Sequence, residues 1–269
     1  MIFRRGTMLA VSLSLATLGV GSPAVDRGTQ EEWTPLFNGT DLSGWTPKIV
    51  GFVAGEDPLG TFRVEDGLLT VGYESYEGVF SERFGHLFYE EPFSEYVLRV
   101  EYRFIGDQID DGPGWAFKNS GVMFHAQSPE SMLPDQDFPI SLEAQFLGGN
   151  GSDPRPTANL CTPGTHVVMD GELVETHCIN AAAPTYHTDE WVTVDLVVRA
   201  GSSIAHVIDG DTVISYTRPV IGGGVVGGFD PAVKRDGALL TSGYIALQSE
   251  SHPIQFRSVL IKQLGGQDR

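Results

Sequence analysis

Three short stretches set residues that could do chemistry at strand spacing. Residues 141–149 read SLEAQFLGG. In an extended chain alternate side chains share a face, so Ser141, Glu143 and Gln145 point one way while Leu142, Ala144 and Phe146 point the other. Glu143 is a candidate general base and Gln145 an orienting donor; the competing reading is a solvated carboxylate on an outer sheet face. Residues 119–127, NSGVMFHAQ, put Asn119, Gly121, Met123 and His125 on one face. Gly121 leaves room for a ligand near the backbone, and His125 is either a second candidate base or a hydrogen-bonded core or rim histidine. In SESHP, Glu250 and His252 stand two apart. That spacing suits a base with its orienting partner, two ligands of a divalent metal, or a plain polar strand end.

Trp115, in the loop DDGPGWAFKNSG, can stack on a pyranose ring, with Lys118 and Asn119 beside it to hydrogen-bond hydroxyls. Trp45 and Trp191 read as core residues. Tyr89 and His86 are rim candidates whose direction the sequence does not fix, and His166, His177, His187 and His206 read as structural. Cys161 and Cys178 are the only cysteines. As a disulfide they close a loop of about 18 residues and constrain the unfolded chain by roughly 3 kcal/mol. Thiolate ligation of a metal is the competing reading, but the usual four-ligand zinc spacing is missing.

The elements that must position these residues are short and alternating: TFRVEDGLLTVG, YVLRVEYRF, WVTVDLVVRAG, SIAHVIDGDTVISYT, GYIALQS and IQFRSVLIKQL. Gly, Pro, Asp or Asn separates them, and no helical period persists beyond a turn or two. The pattern predicts an all-β, antiparallel, two-sheet jelly-roll sandwich in one domain over residues 25–269, with insertions at about 148–190 and 221–241. Long loops on a rigid sandwich are where binding surfaces are built. The glycine-rich second insertion matches no nucleotide-binding pattern.

Residues 1–24 join Arg4 and Arg5 to an apolar run and small residues near Ser22 and Ala24, the layout of a signal peptide, which predicts a secreted or periplasmic protein. The run is short for a membrane span and no Cys follows it, which argues against an anchor. Its removal takes two arginines and no acid, so the formal charge of −18 becomes −20. Such acidity excludes nucleic acid and anionic membrane surfaces as partners and suits a neutral ligand such as a carbohydrate.

PLFNGTDLSGW, FRVEDGLLTV, NSGVMFHAQ with SLEAQFLGG, and the closing SGYIALQSESHPIQFRSVLIKQL occur in that order. Together they resemble the 3-keto-disaccharide hydrolase domain family of secreted bacterial proteins, from about Trp33 to Leu264. The resemblance implies a concanavalin A-like (laminarinase-like) jelly roll and cleavage of sugars already oxidised at carbon 3. The family commonly carries an Arg where this chain has His125, and a second acid where it has Leu147-Gly148-Gly149.

Retaining glycosidases need two carboxylates about 5 Å apart, and this strand offers one. A 3-keto sugar allows another route, because the ketone acidifies the C2 proton and one base can expel the C1 substituent before water adds to the enone. Glu143 or His125 is then the base, Glu250 and His252 its partner or a metal site, Gln145 and Asn119 donors, and Trp115 the platform. The sequence establishes no cofactor, and a divalent metal ion polarising the ketone suits the chemistry. A non-catalytic carbohydrate-binding or adhesion sandwich is the alternative, and convergence of Glu143, His125, Glu250 and His252 in one concave pocket discriminates the two.

Overall fold

The computed structural model describes residues 1, 2 and 32–265. The expected signal peptide lies almost wholly outside them. Among the described residues no helix is long and apolar enough to cross a membrane. Among the described residues helix is confined to the single 3-10 turns Gly114–Ala116 and Pro129–Ser131.

The strands, in chain order, are β1 (Thr34–Pro35), β2 (Trp45–Ile49), β3 (Phe62–Glu65), β4 (Leu68–Val71), β5 (Gly85–Tyr89) and β6 (Glu95–Phe104). Then come β7 (Asn119–Ala126), β8 (Leu142–Leu147), β9 (Asn159–Cys161), β10 (Thr165–Met169), β11 (Glu172–Val174) and β12 (Cys178–Ile179). The last five are β13 (Val192–Arg199), β14 (Ser203–Ile208), β15 (Asp211–Ile221), β16 (Tyr244–Ser249) and β17 (Ile254–Gln263). One sheet runs β11-β10-β15-β14-β13-β6-β17-β4-β3, with β1 on β17; the other runs β12-β9-β8-β7-β16-β5-β2. Every pairing of named strands is antiparallel, and strands distant in sequence lie side by side, so the result is the jelly-roll sandwich that the alternation predicts. The insertion at 148–190 is not a bare loop, since it contributes β9 and β12 to one sheet and β10 and β11 to the other.

Strict alternation decides which side chains fill the space between the sheets. In β6 every second residue is buried, from Tyr96 through Leu98, Val100 and Tyr102 to Phe104. From β8 come Leu142, Ala144 and Phe146, which face these residues in the same core. Tyr102 and Phe146 stack with ring centroids 4.1 Å apart, and the Tyr102 hydroxyl meets Thr157 Oγ1 at 2.6 Å, so this aromatic carries no unpaired polar group into the core. The tryptophans divide. Trp45 is buried and donates its indole N–H to Leu36 O at 3.0 Å, as a core residue should. Trp191 is not a core residue: it lies between the Arg103 and Arg257 guanidiniums, each 4.6 Å from its ring, because the outward residues of β6 and β17 form a cationic aromatic ladder that draws the indole there.

Phe146 is 1% exposed and underlies the strand that carries Glu143, so truncation leaves a cavity the sheet cannot close. Phe146→Ala is expected to cost about 3–5 kcal/mol, read from the shift in a denaturant unfolding midpoint at constant slope.

Candidate active site

The acids and amides of the seven-stranded sheet are on its outward face, and the register arranges them in rows. One row is Phe88, Ala246, Met123, Glu143, Cys161 and Cys178, each opposite the next. The next row begins Lys48, His86, Gln248, and after the gap at Gly121 continues with Gln145 and Asn159. Phe88, Met123 and Ala246 are covered by Met132 and Phe138 from the segment joining β7 to β8. What stays open is a cavity of about 330 Å³ over the other end of the rows. Its floor is Glu143, Gln145, Asn119 and Glu250, and its walls are Trp115 and Phe138 on one side and Pro163, His177, Val225 and the cysteine pair on the other.

Glu143 and Glu250 come from different strands. Both line the one cavity and Glu250 feels the charge of Glu143; the gap at Gly121 makes room for the first of them, because a Cβ built there would lie 2.7 Å from Glu143 Oε1. The carboxylate of Glu143 therefore occupies the space a side chain would fill, and Gly121 gives its room to an acid of its own sheet. Glu250 follows β16 immediately; its Oε1 accepts a hydrogen bond from Gln248 Nε2 at 2.9 Å, while Oε2 is buried without a partner. Burial pushes Glu143 up to about 8, and burial plus the charge of Glu143 pushes Glu250 well above the ordinary carboxylate range. Two buried carboxyls with no cation against them hold at least one proton between them at neutral pH.

The remaining polar floor is partly committed. Asn159 Nδ2 donates to Gln145 Oε1 at 3.0 Å and so turns the Gln145 amide N–H toward the cavity, whereas Asn119 Oδ1 is buried and unpaired. Trp115 is 54% exposed and its ring stacks on Phe84 at 5.8 Å with a 20° tilt, so its outer face is free to receive a sugar ring. Phe84 also meets Phe138 at 5.1 Å, which makes the wall continuous. Asp137 ties this wall to the glycine-rich loop, accepting from Gly227 N at 2.7 Å and donating its own N–H to Gly227 O.

Three sequence candidates are not brought to the cavity. His125 has φ of 48°, and the register between β7 and β16 shifts beside it, so a bulge turns the imidazole off the Gly121 face. Its Nε2 lies 3.0 Å from Ala200 O, in the turn after β13 of the other sheet. Ser251 has φ of 87°, which breaks the extended run and separates Glu250 from His252. His252 packs edge-on between Phe104 and Phe117, at 5.6 and 5.2 Å, and so forms neither a dyad nor a metal pair with Glu250. Lys118 turns aside to Asp189, 3.5 Å away.

Cys161 and Cys178 sit directly opposite each other on β9 and β12 and form the disulfide. With His177 they are a group close enough to hold a metal ion, but both sulfurs are bonded to each other and offer no thiolate. His177, read from the sequence as structural, lines the cavity. It was missed together with Phe138, Pro163 and Val225 because all four stand in or beside irregular segments, where alternation gives no direction.

Two measurements check this geometry. Gly121→Ala drives a methyl group into the Glu143 carboxylate and to 3.0 Å from Ala144 O; an overpacking loss of about 1–3 kcal/mol is expected by calorimetry. The second concerns pH. Because both folded-state carboxyls titrate above 4.5, the stability linked to them is full below pH 4.5 and is lost as pH rises through about 8. Glu143→Gln should therefore raise Tm over wild type by about 3 °C more at pH 9 than at pH 5, a difference of roughly 1 kcal/mol. His206 and His252, held down to about 4 by burial, act in the opposite sense: their stability is full above pH 6.5 and lost as pH falls through 4.

Comparison with known proteins bears on this site. Two candidate glycosyl hydrolases from Parabacteroides distasonis share the fold: one with TM-score 0.51 and 20% identity over 87% of this chain and 94% of its own, the other with TM-score 0.52 and 15% identity over 87% and 100%. No curated protein matches the chain in sequence. Residues 32–262, nearly the whole of the described sandwich and every residue of the cavity, match the 3-keto-alpha-glucoside-1,2-lyase-like domain, and the chain belongs to that family.

Proposed function

We propose that the protein cleaves 3-keto-glycosides by base-assisted elimination across C1 and C2, followed by hydration of the enone. The observation that carries this reading is the meeting of Glu143 and Glu250 in one buried cavity beside an exposed indole. Carbohydrate is the partner that the family and the platform both suit. Charged Glu143 takes the C2 proton; the C2–H electrons become the C1–C2 double bond, and the C1–O bond breaks. Protonated Glu250 gives its proton to the departing oxygen. The pair thus ends with one proton, moved from Glu250 to Glu143, and exchange between the two carboxyls resets it. Gln145 and Asn119 offer amides to the ring hydroxyls and to the C3 oxygen as charge develops there. The disulfide and the apolar N-terminal run support a site of action outside the cytoplasm.

The same pair supports a second reading. Taken along its own strand Glu143 is a lone acid, but across the sheet it has a carboxyl partner, as retaining hydrolysis requires. The substrate separates the two. A glucoside and its 3-keto form should differ by at least about 10³-fold in kcat/KM, with the parent binding and not reacting, since only the ketone acidifies C2. Comparable rates on both would replace elimination with conventional hydrolysis. Binding of both without cleavage of either would make this a carbohydrate-binding domain.

A further inference from the structure

The row beside Glu143 contains polar atoms that the site as described does not use. Lys48, His86 and Gln248 stand opposite one another on β2, β5 and β16, and all three are buried, at 1%, 0% and 0% exposure. Both ring nitrogens of His86 and the Oε1 of Gln248 have no partner. Each is a desolvated group on which selection for stability alone would place a carbon. Phe88 and Phe138 close over the imidazole, at 6.2 and 5.8 Å, so neither nitrogen is served by open solvent.

No hydrogen bond joins Lys48 to His86 or His86 to Gln248 in the structure; were these orphaned atoms to satisfy one another, the chain would have a direction. Lys48 can only donate, and two of its three N–H groups go to Ile49 O at 3.2 Å and Pro134 O at 3.0 Å. The third is available to the neighbouring ring nitrogen of His86. An imidazole that accepts there carries its proton on the other nitrogen and donates toward Gln248. A Gln248 amide whose oxygen is claimed in this way must present Nε2 to Glu250, which is the contact observed. Burial and the charge of Lys48 keep the imidazole neutral, with one donor and one acceptor. The charged and titratable groups facing this chain are Lys48 and the Asp135 carboxylate near it at one end, and Glu143 and the Tyr73 phenol near Glu250 at the other.

We infer that Lys48 and His86 are positioning residues for the carboxyl pair: through Gln248 they hold Glu250 Oε1 as an acceptor, so that the Glu250 proton resides on Oε2, toward the cavity and Glu143. With the amide turned over, its oxygen would take that proton and withdraw it from the cavity. The inference rests on Glu143 and Glu250 acting as a base and acid pair, and it supplies a reason for Glu250 to be the acid.

The test needs no substrate, so it stands apart from any failure to cleave 3-keto sugars. In the full-length protein, the ring tautomer of His86 is read by long-range proton–nitrogen NMR, and both carboxyls are titrated through their side-chain carbon-13 shifts. The expected result is one His86 tautomer and a Glu143 that titrates before Glu250. In His86→Phe the interval between the two titrations should change by about one pH unit or more, a tenfold change in the ratio of proton placements. His86→Gln, which can still accept and donate, should restore it. Lys48→Met should leave His86 with mixed tautomers and serves as the test if His86→Phe does not fold. An interval within about 0.3 units of wild type in the folded variants, or a Glu143 that titrates last, overturns the inference.

Discussion

Two carboxyl groups buried in one cavity cannot both be charged, and most of this structure around the cavity is arranged by that fact. Among the described residues no cation lies against Glu143 or Glu250 to absorb their charge. The sandwich instead keeps them partly protonated, and one proton moving between two oxygens is what an elimination with an acidic C2–H requires. The cost of holding the pair falls on folding stability, which is why Glu143 should be a liability at high pH and indispensable to chemistry at the same time.

The rest of the fold supplies rigidity and shape around that pair. Alternation sends Leu142, Ala144 and Phe146 into the core and their neighbours to the outer face, so the backbone of β8 is fixed by packing while Glu143 stays available. Gly121 leaves open the space that the Glu143 carboxyl occupies. The two walls come from segments with little regular structure, and each is pinned: one side by the disulfide, the other by Asp137 to Gly227. Rigid strands hold the acids, and loops set the outline of the ligand.

Much of this was legible in the sequence, because period-two alternation is a local property. It gave the class of fold and the face of Glu143 and Gln145, while the burial of Trp45 and the exposure of Trp115 were read from the turn and the loop in which they stand. The cysteine pair was also within reach, since a chain with two cysteines in all leaves few options. What alternation cannot register is a break in itself. The positive φ of His125 and of Ser251 each reverse a face, and the two histidines assigned to the site from spacing turn away on that account. Nor can it see across strands. Glu143 looked like a solitary acid because its partner is more than a hundred residues away in the chain, and Trp191 looked like core because the arginines that hold it lie on other strands.

The central claim is a proton count at two named carboxyls, and neutron diffraction from a perdeuterated crystal at pH 9, above the value of about 8 at which Glu143 gives up its proton, reads it directly. One deuteron on Glu250 Oε2 and none on Glu143 is the predicted result. Two bare carboxylates, or a deuteron on Glu143 with none on Glu250, would contradict it.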